Sequence, residues 1–297
     1  MSETKKGVIN AVIAFSMWGI YPLYWALLQH LRPMELLTNR IIWSFTFLFI
    51  CFIALKKHDL ITETLAQLRA DKKKIWLLVL AAFFVGSNWF IYTYAVVHER
   101  IIEASLGYYI NPILSILIGV IFLKEKLSKL QILASLIAAT GVAFLAFSYG
   151  ALPWLSLLLA ISFGLYGLCK KLVGIDSTIA LWLETMLLMP IAMIFFIQWL
   201  NDGTSTFVLG NINDMLLLIG AGFITVSPLF FFGKAARQIP LYVLGFLQYI
   251  GPTLKMIMAT FILGESFSHE RLIAFSIIWT ACILFSLSPL FNRKKLT

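Results

Sequence analysis

A chain of 297 residues that is 61% hydrophobic and only 12% charged has about half the charged fraction of a soluble globular domain, and the two or so soluble domains its length allows could not hide this much apolar surface. The formal net charge of +9 does not point to nucleic acid, because the basic residues form short clusters between long apolar runs, as they do beside membrane spans, and no continuous stripe. Cys51, Cys169 and Cys282 lie in or at the edge of those runs, with no CxxC pair and no histidine at ligand spacing, so neither a disulfide framework nor a metal site is expected.

In chain order, the first element follows Lys5 and Lys6. Gly7–Gln29 carries no charge for 23 residues. That is longer than a signal-peptide core, and no small-x-small cleavage site follows, so it reads as a first span. A helix needs about 20 residues to cross the hydrocarbon core. Further runs of that length, uncharged or nearly so, are Glu35–Leu55, Ile75–Val97, Ala104–Leu123 and Leu130–Ser148, then Leu152–Leu172, Ser177–Leu200, Met215–Gly233, Ile239–Leu263 and Leu272–Leu290. Leu130–Cys169 has no charge for 40 residues, too long for one span, and Tyr149-Gly150-Ala151-Leu152-Pro153 supplies the turn that divides it. The expected fold is therefore an all-α membrane protein of ten transmembrane helices, because backbone polar groups in lipid must be bonded internally.

Charge fixes the expected orientation. With the N-terminus inside, 18 of the 23 basic residues fall on inner segments, three (Arg32, Arg100 and Arg271) on outer ones and two (Arg40 and Lys255) within spans. Both termini are then cytoplasmic. Tyr109-Ile110-Asn111-Pro112 recurs as Tyr249-Ile250-Gly251-Pro252, and over 26 positions at an offset of 140 eight are identical, among them Glu125 with Glu265 and Ser128 with Ser268. Two halves result, residues 1–149 and 150–297, each with five spans. Five is odd, so the second half enters from the opposite side. This is an inverted-topology repeat, typical of secondary transporters; a duplicated passive scaffold is the plainer alternative.

The strings Leu37-Thr38-Asn39-Arg40-Ile41-Ile42-Trp43-Ser44, Gly86-Ser87-Asn88-Trp89, Glu103-Ala104-Ser105-Leu106-Gly107-Tyr108-Tyr109-Ile110-Asn111-Pro112 and Gly245-Phe246-Leu247-Gln248-Tyr249-Ile250-Gly251-Pro252-Thr253 resemble the RarD group. That group belongs to the EamA-type branch of the drug/metabolite transporter superfamily. The resemblance spreads from the first span to the last. It implies two EamA repeats, a bacterial plasma membrane, and a midplane cavity lined by spans one to four and six to nine.

Ionisable residues within a bilayer are costly and tend to face a bundle interior or a cavity. Arg40, Glu184 and Lys255 qualify. Spans two and seven are counterparts under the repeat, so Arg40 and Glu184 are candidates for a central pair, provided that tilt or reach closes about 10 Å of depth. Snorkelling of Arg40 and a backbone bond for Glu184 are the plainer readings. Two fixed cations against one carboxylate leave a positive surplus, which an anionic substrate or a substrate carboxylate would neutralise. Glu184 is alternatively a carrier for a coupling proton. Pro112 and Pro252 interrupt equivalent helices near the midplane and are candidate hinges. Helical spacing gathers Gln248, Pro252 and Lys255 on one face, Tyr108, Asn111 and Ser115 on another, and Asn88 with Tyr92 beside Trp89 on a third. Ser162 and Tyr166 share a face, and Trp18, Tyr21 and Trp25 stripe the first span. The candidate substrate-binding residues are thus Arg40, Asn88, Trp89, Tyr92, Tyr108, Asn111, Tyr166, Glu184, Gln248 and Lys255. Glu125 and Glu265, in turns after spans four and nine, read as structural groups that cap a backbone or pair with a base.

No HExxH, GxSxG or Walker loop occurs. The expected function is secondary transport or export of a small solute (a metabolite, an amino-acid-like compound or a drug) by alternating access. The alternatives are a non-transporting membrane regulator and an intramembrane enzyme. The expected partners are a small-molecule substrate and the lipid bilayer, with a coupling proton and a homodimer left open; no cofactor, metal or nucleic acid is expected.

Overall fold

The computed structural model describes residues 2–54, 58–148, 153–261 and 269–293. Fourteen helices and no strand occur among the described residues. They are α1 (Glu3–Ile20), α2 (Pro22–Ala26), α3 (Pro33–Ala54), α4 (His58–Ala70), α5 (Lys72–Val97), α6 (Ile101–Leu123) and α7 (Lys129–Ser148), followed by α8 (Trp154–Val173), α9 (Ser177–Asn201), α10 (Thr206–Leu209), α11 (Ile212–Gln238), α12 (Leu241–Gln248), α13 (Ile250–Phe261) and α14 (His269–Arg293). Ten segments are long and apolar enough to cross a membrane, with α1 and α2 together making the first and α12 and α13 the ninth. Each coincides with an expected run to within a few residues. The chain is a multi-pass membrane protein. Successive spans run in opposite directions, so α1 begins and α14 ends at the same face of the bundle, called here the terminal face.

The ends of the spans are set by local chemistry. Asp71 accepts from Lys73 N at 2.9 Å at the start of α5, and Asp176 accepts from Thr178 N at 2.8 Å at the start of α9. Asn211 accepts from Asp214 N at 2.9 Å at the start of α11. These caps satisfy amides that have no partner in a helix's first turn. Gly174 adopts φ +66° and closes α8. Along the outside, Trp76, Phe147 and Phe261 are 67%, 84% and 80% exposed, as suits faces turned to lipid.

Two features were not expected from the apolar runs. The first span bends at Tyr21-Pro22, where α1 gives way to α2. The connection between α3 and α5 contains α4, whose Leu68 and Thr64 are buried while Asp59, Glu63 and Arg69 are exposed. It packs against α5 and α9, so the polar stretch between the second and third expected spans is itself a helix.

The bundle centre forms where α1, α3, α5, α6, α8, α11 and α12 converge. α7 and α14 pack chiefly on each other to one side, as expected for spans five and ten. Close crossings rely on missing side chains. A Cβ on Gly222 of α11 would lie on the backbone of Trp43 in α3, and one on Gly245 of α12 would approach Pro112 O of α6 at 2.8 Å. A Cβ on Gly167 would meet only the Phe232 ring, at an ordinary 3.4 Å. Gly222→Ala is therefore expected to lose about 1–3 kcal/mol through forced separation of α3 and α11, whereas Gly167→Ala is neutral or stabilising. Thermal unfolding of the two purified variants in detergent checks the contrast, and equal melting temperatures would remove it.

Candidate functional site

A cavity of about 300 Å³ lies inside the bundle. Its walls come from α1 and α2 (Phe15, Trp18, Tyr21, Pro22, Trp25), α3 (Arg40), α5 (Asn88, Trp89, Tyr92), α6 (Ala104, Gly107, Tyr108, Asn111) and α8 (Leu159, Phe163), and from α11 (Ile224, Thr225, Leu229), α12 (Gln248) and α13 (Gly251, Pro252, Lys255). The structure thus brings together eight of the ten candidate binding residues, and Pro252. Phe163, Thr225 and Leu229 were missed. They sit in uniformly apolar runs, where spacing does not say which face is inward.

Arg40 enters seven residues along α3. Its Nε donates to Thr225 Oγ1 at 3.0 Å. Its guanidinium lies 4.8 Å from the Trp25 ring centroid and 5.1 Å from that of Trp89. Lys255 Nζ lies 3.6 Å from the centroid of Tyr108. Ring faces attract cations without neutralising them. No carboxylate among the described residues pairs with either cation, and none lines the cavity. Asn88 Nδ2 is held by Leu159 O at 2.8 Å and Ser162 Oγ at 3.0 Å. Ser115 Oγ donates to Gln248 Oε1 at 3.3 Å, which leaves the Gln248 amino group for the cavity.

Glu184 and Tyr166 are not in the wall. Tyr166 Oη donates to Glu184 Oε2 at 3.1 Å, and Lys170 Nζ donates to Glu184 Oε1 at 2.8 Å. All three are at most 1% exposed. The expected Arg40–Glu184 pair is replaced by Lys170–Glu184. The reason is depth. Arg40 and Glu184 each lie seven residues into their helices from opposite faces, about 10 Å in at 1.5 Å per residue, and an aromatic layer fills the space between. Trp18 and Phe163 are 5.5 Å apart, Phe163 and Phe232 5.0 Å, and Phe232 stacks on Tyr166 at 5.8 Å. Lys170, near the inner end of the expected run Leu152–Leu172, is in the last turn of α8 but turned inward. Span seven accordingly contributes nothing to the wall.

Pro112 lies within an unbroken α6 and outside the wall, while Pro252 follows the break between α12 and α13. Toward the terminal face, Glu125 accepts from Leu241 N at 2.8 Å and Tyr242 N at 3.0 Å. Lys171 Nζ donates to Ile239 O at 2.6 Å and lies 3.8 Å from Glu125. Glu125 thus caps a helix and pairs with a base, as read from the sequence; Glu265 lies outside the described residues.

Residues 5–147 match the EamA-like transporter family. The chain is 45% identical over 287 residues to the uncharacterized transporter YojE of Bacillus subtilis, covering 97% of this chain and 95% of that one. It is 36% identical over 293 residues to protein RarD of Escherichia coli, covering 99% and 98%. The chain belongs to the RarD group of EamA-type transporters. A solved crystal structure overlays on it with a TM-score of 0.70 and 17% identity, covering 95% of this chain and 97% of that one, a likeness of fold alone. In this RarD-group chain the buried Lys170–Glu184 pair should be mutually dependent. Removing one partner strands a buried charge and costs about 3–5 kcal/mol. Lys170→Met and Glu184→Gln are each expected to lower the melting temperature, and the double variant to recover part of the loss. A double variant no more stable than the worse single one would remove the pairing as the cause.

Proposed function

We propose that this RarD-group chain is a secondary transporter that moves a small solute across the bacterial plasma membrane by alternating access, with the central cavity as its substrate site. The observation that carries the reading is a cavity with two intramembrane cations at its wall, closed toward the terminal face. Intramembrane charges that face a cavity mark substrate paths. The closure is built of two layers, the rings of Trp18, Phe163 and Phe232 and then the Lys170–Glu184 and Glu125–Leu241 contacts.

In this reading residues 1–149 and 150–297 are inverted repeats that rock about the cavity, and both termini are cytoplasmic. The repeated Tyr-Ile-x-Pro strings and the bias of basic residues support this. Arg40, Asn88, Trp89, Tyr92, Tyr108, Asn111, Gln248 and Lys255 contact the solute. Pro112 and Pro252 are hinges. Tyr166 and Glu184 act at the closed end, where Glu184 is the buried carboxyl group available to a coupling proton.

Proteoliposomes loaded with a mixed pool of metabolites and drugs test the proposal. Mass spectrometry of what leaves, with and without a proton gradient, is expected to show selective loss of a solute in the wild type. Loss should fall at least about tenfold in Arg40→Ala, the consequence of removing an interaction worth about 1.4 kcal/mol or more. No selective loss from folded protein in either condition would count against transport and favour a regulatory role. Equal loss with and without the gradient would remove the coupling proton.

A further inference from the structure

We infer that the solute held in this cavity is a small organic anion carrying a carboxylate and no ammonium group. The inference rests on the cavity being the substrate site. Four observations lead to it.

The first is charge. Arg40 and Lys255 both line the cavity, and no acidic residue does. Glu184 is engaged by Lys170 at 2.8 Å on the far side of the aromatic layer. At the other end of the bundle Glu35 is paired with Arg32 at 2.9 Å and Glu103 with Arg100. The surplus at the cavity is therefore two positive charges. A bare cation within a bilayer costs roughly 2.5–3.5 kcal/mol on insertion scales, and ring faces offset only part of that, about 0.5–2 kcal/mol. A bound anion neutralises what the protein leaves uncompensated.

The second is geometry at Arg40. Among the described residues only its Nε is hydrogen-bonded, to Thr225 Oγ1 at 3.0 Å. The terminal amino groups are left for a bidentate grip, the mode in which a guanidinium binds a planar carboxylate. Lys255 adds a point charge, and the Gln248 amino group adds a neutral donor.

The third is the lack of a site for an ammonium group. An α-amino acid would bring its cation into the same space as Arg40 and Lys255, with no carboxylate to receive it. At the effective dielectric of a protein, like charges a few ångströms apart repel by several kcal/mol. Deaminated acids are therefore preferred over their amino-acid counterparts. The fourth is size and lining. The volume of about 300 Å³ is at the lower end of the range for small-molecule sites, and Trp18, Trp25, Trp89, Tyr92 and Tyr108 offer flat apolar walls to a ring or a short chain.

Four near-isosteric probes separate charge from shape: hydrocinnamate, its neutral amide, phenylpropylamine and phenylalanine. Binding to the full chain in nanodiscs is measured by calorimetry and by fluorescence of the cavity tryptophans. Hydrocinnamate is expected to bind at least about tenfold more tightly than the amide and than phenylalanine, and phenylpropylamine least. Arg40→Gln and Lys255→Met should each erase that preference, while Arg40→Lys and Lys255→Arg, which keep the charge, retain much of it. Melting temperatures show that all four variants are folded. No binding of hydrocinnamate, equal or tighter binding of the amide, the amine or phenylalanine, or a preference that survives Arg40→Gln and Lys255→Met would overturn the inference. Proteoliposome uptake of the same probes tells the two readings apart. Uptake without preference for the anion leaves transport standing and removes the charge assignment. Charge-selective binding in nanodiscs without uptake keeps the assignment and removes transport.

Discussion

Charge in hydrocarbon is the constraint on which the rest of this structure depends. Ten apolar helices could associate in many ways, because lipid tails satisfy their outer faces as well as other helices do. A charged side chain narrows the choice, since it must find a partner or a wet space. The bundle uses two solutions at different depths. Arg32–Glu35 and Arg100–Glu103 are local pairs one helical turn apart at one end, and Lys170–Glu184 is a buried pair toward the other. Arg40 and Lys255 belong to neither group. They are held by ring faces and a hydroxyl, which supports a cation and leaves its charge standing. The position of the cavity follows from that difference.

The same constraint explains why the closed side is built as it is. Helix ends that meet inside the bundle expose amides and carbonyls which lipid cannot satisfy. At the terminal face Glu125 takes two amides at the start of α12, and Lys171 takes carbonyls of Ile239 and Ala236. These bonds join the end of α6 and the end of α8 to the junction of α11 and α12. They tie together segments distant in sequence, so separating them exposes several polar groups at once. A contact of this kind is either fully made or fully broken, a property suited to one of two alternative states.

Much of this was legible in the sequence, for reasons that also set the limit. Span count depends on the length of uncharged runs, and those are one-dimensional. Depth along a helix follows from residue count, so Arg40 and Lys255 could be placed within the membrane, and helical spacing put Gln248 with Lys255 on one face and Tyr108 with Asn111 on another. Neighbours across the bundle do not follow from counting. Glu184 was matched to Arg40 by symmetry, but the chain supplies Lys170 from α8 at the correct height, and rotation of α8 about its axis decides that. The Trp18–Phe163–Phe232 layer was invisible for the same cause. Its residues look like any other aromatic residues in apolar runs, and only their contact makes them a barrier. The α1–α2 bend was signalled by Pro22, which an uncharged run of 23 residues concealed.

The two repeated prolines argue most directly about mechanism. Both stand in the same string at equivalent places, yet α6 runs unbroken through Pro112 whereas the ninth span breaks at Tyr249, where a backbone N–H reaches Phe246 O at 3.2 Å instead of continuing the regular pattern. A proline removes one helical hydrogen bond in each case, so the chemistry is common and the outcome differs. The difference comes from packing: α12 presses Gly245 against Pro112 O on the side where the bundle is tight, while the segment after Tyr249 flanks the open cavity. Within the proposed exchange the two helices would trade these roles, the straight one bending as the bent one straightens. A string that tolerates both conformations at similar cost is what such an exchange requires.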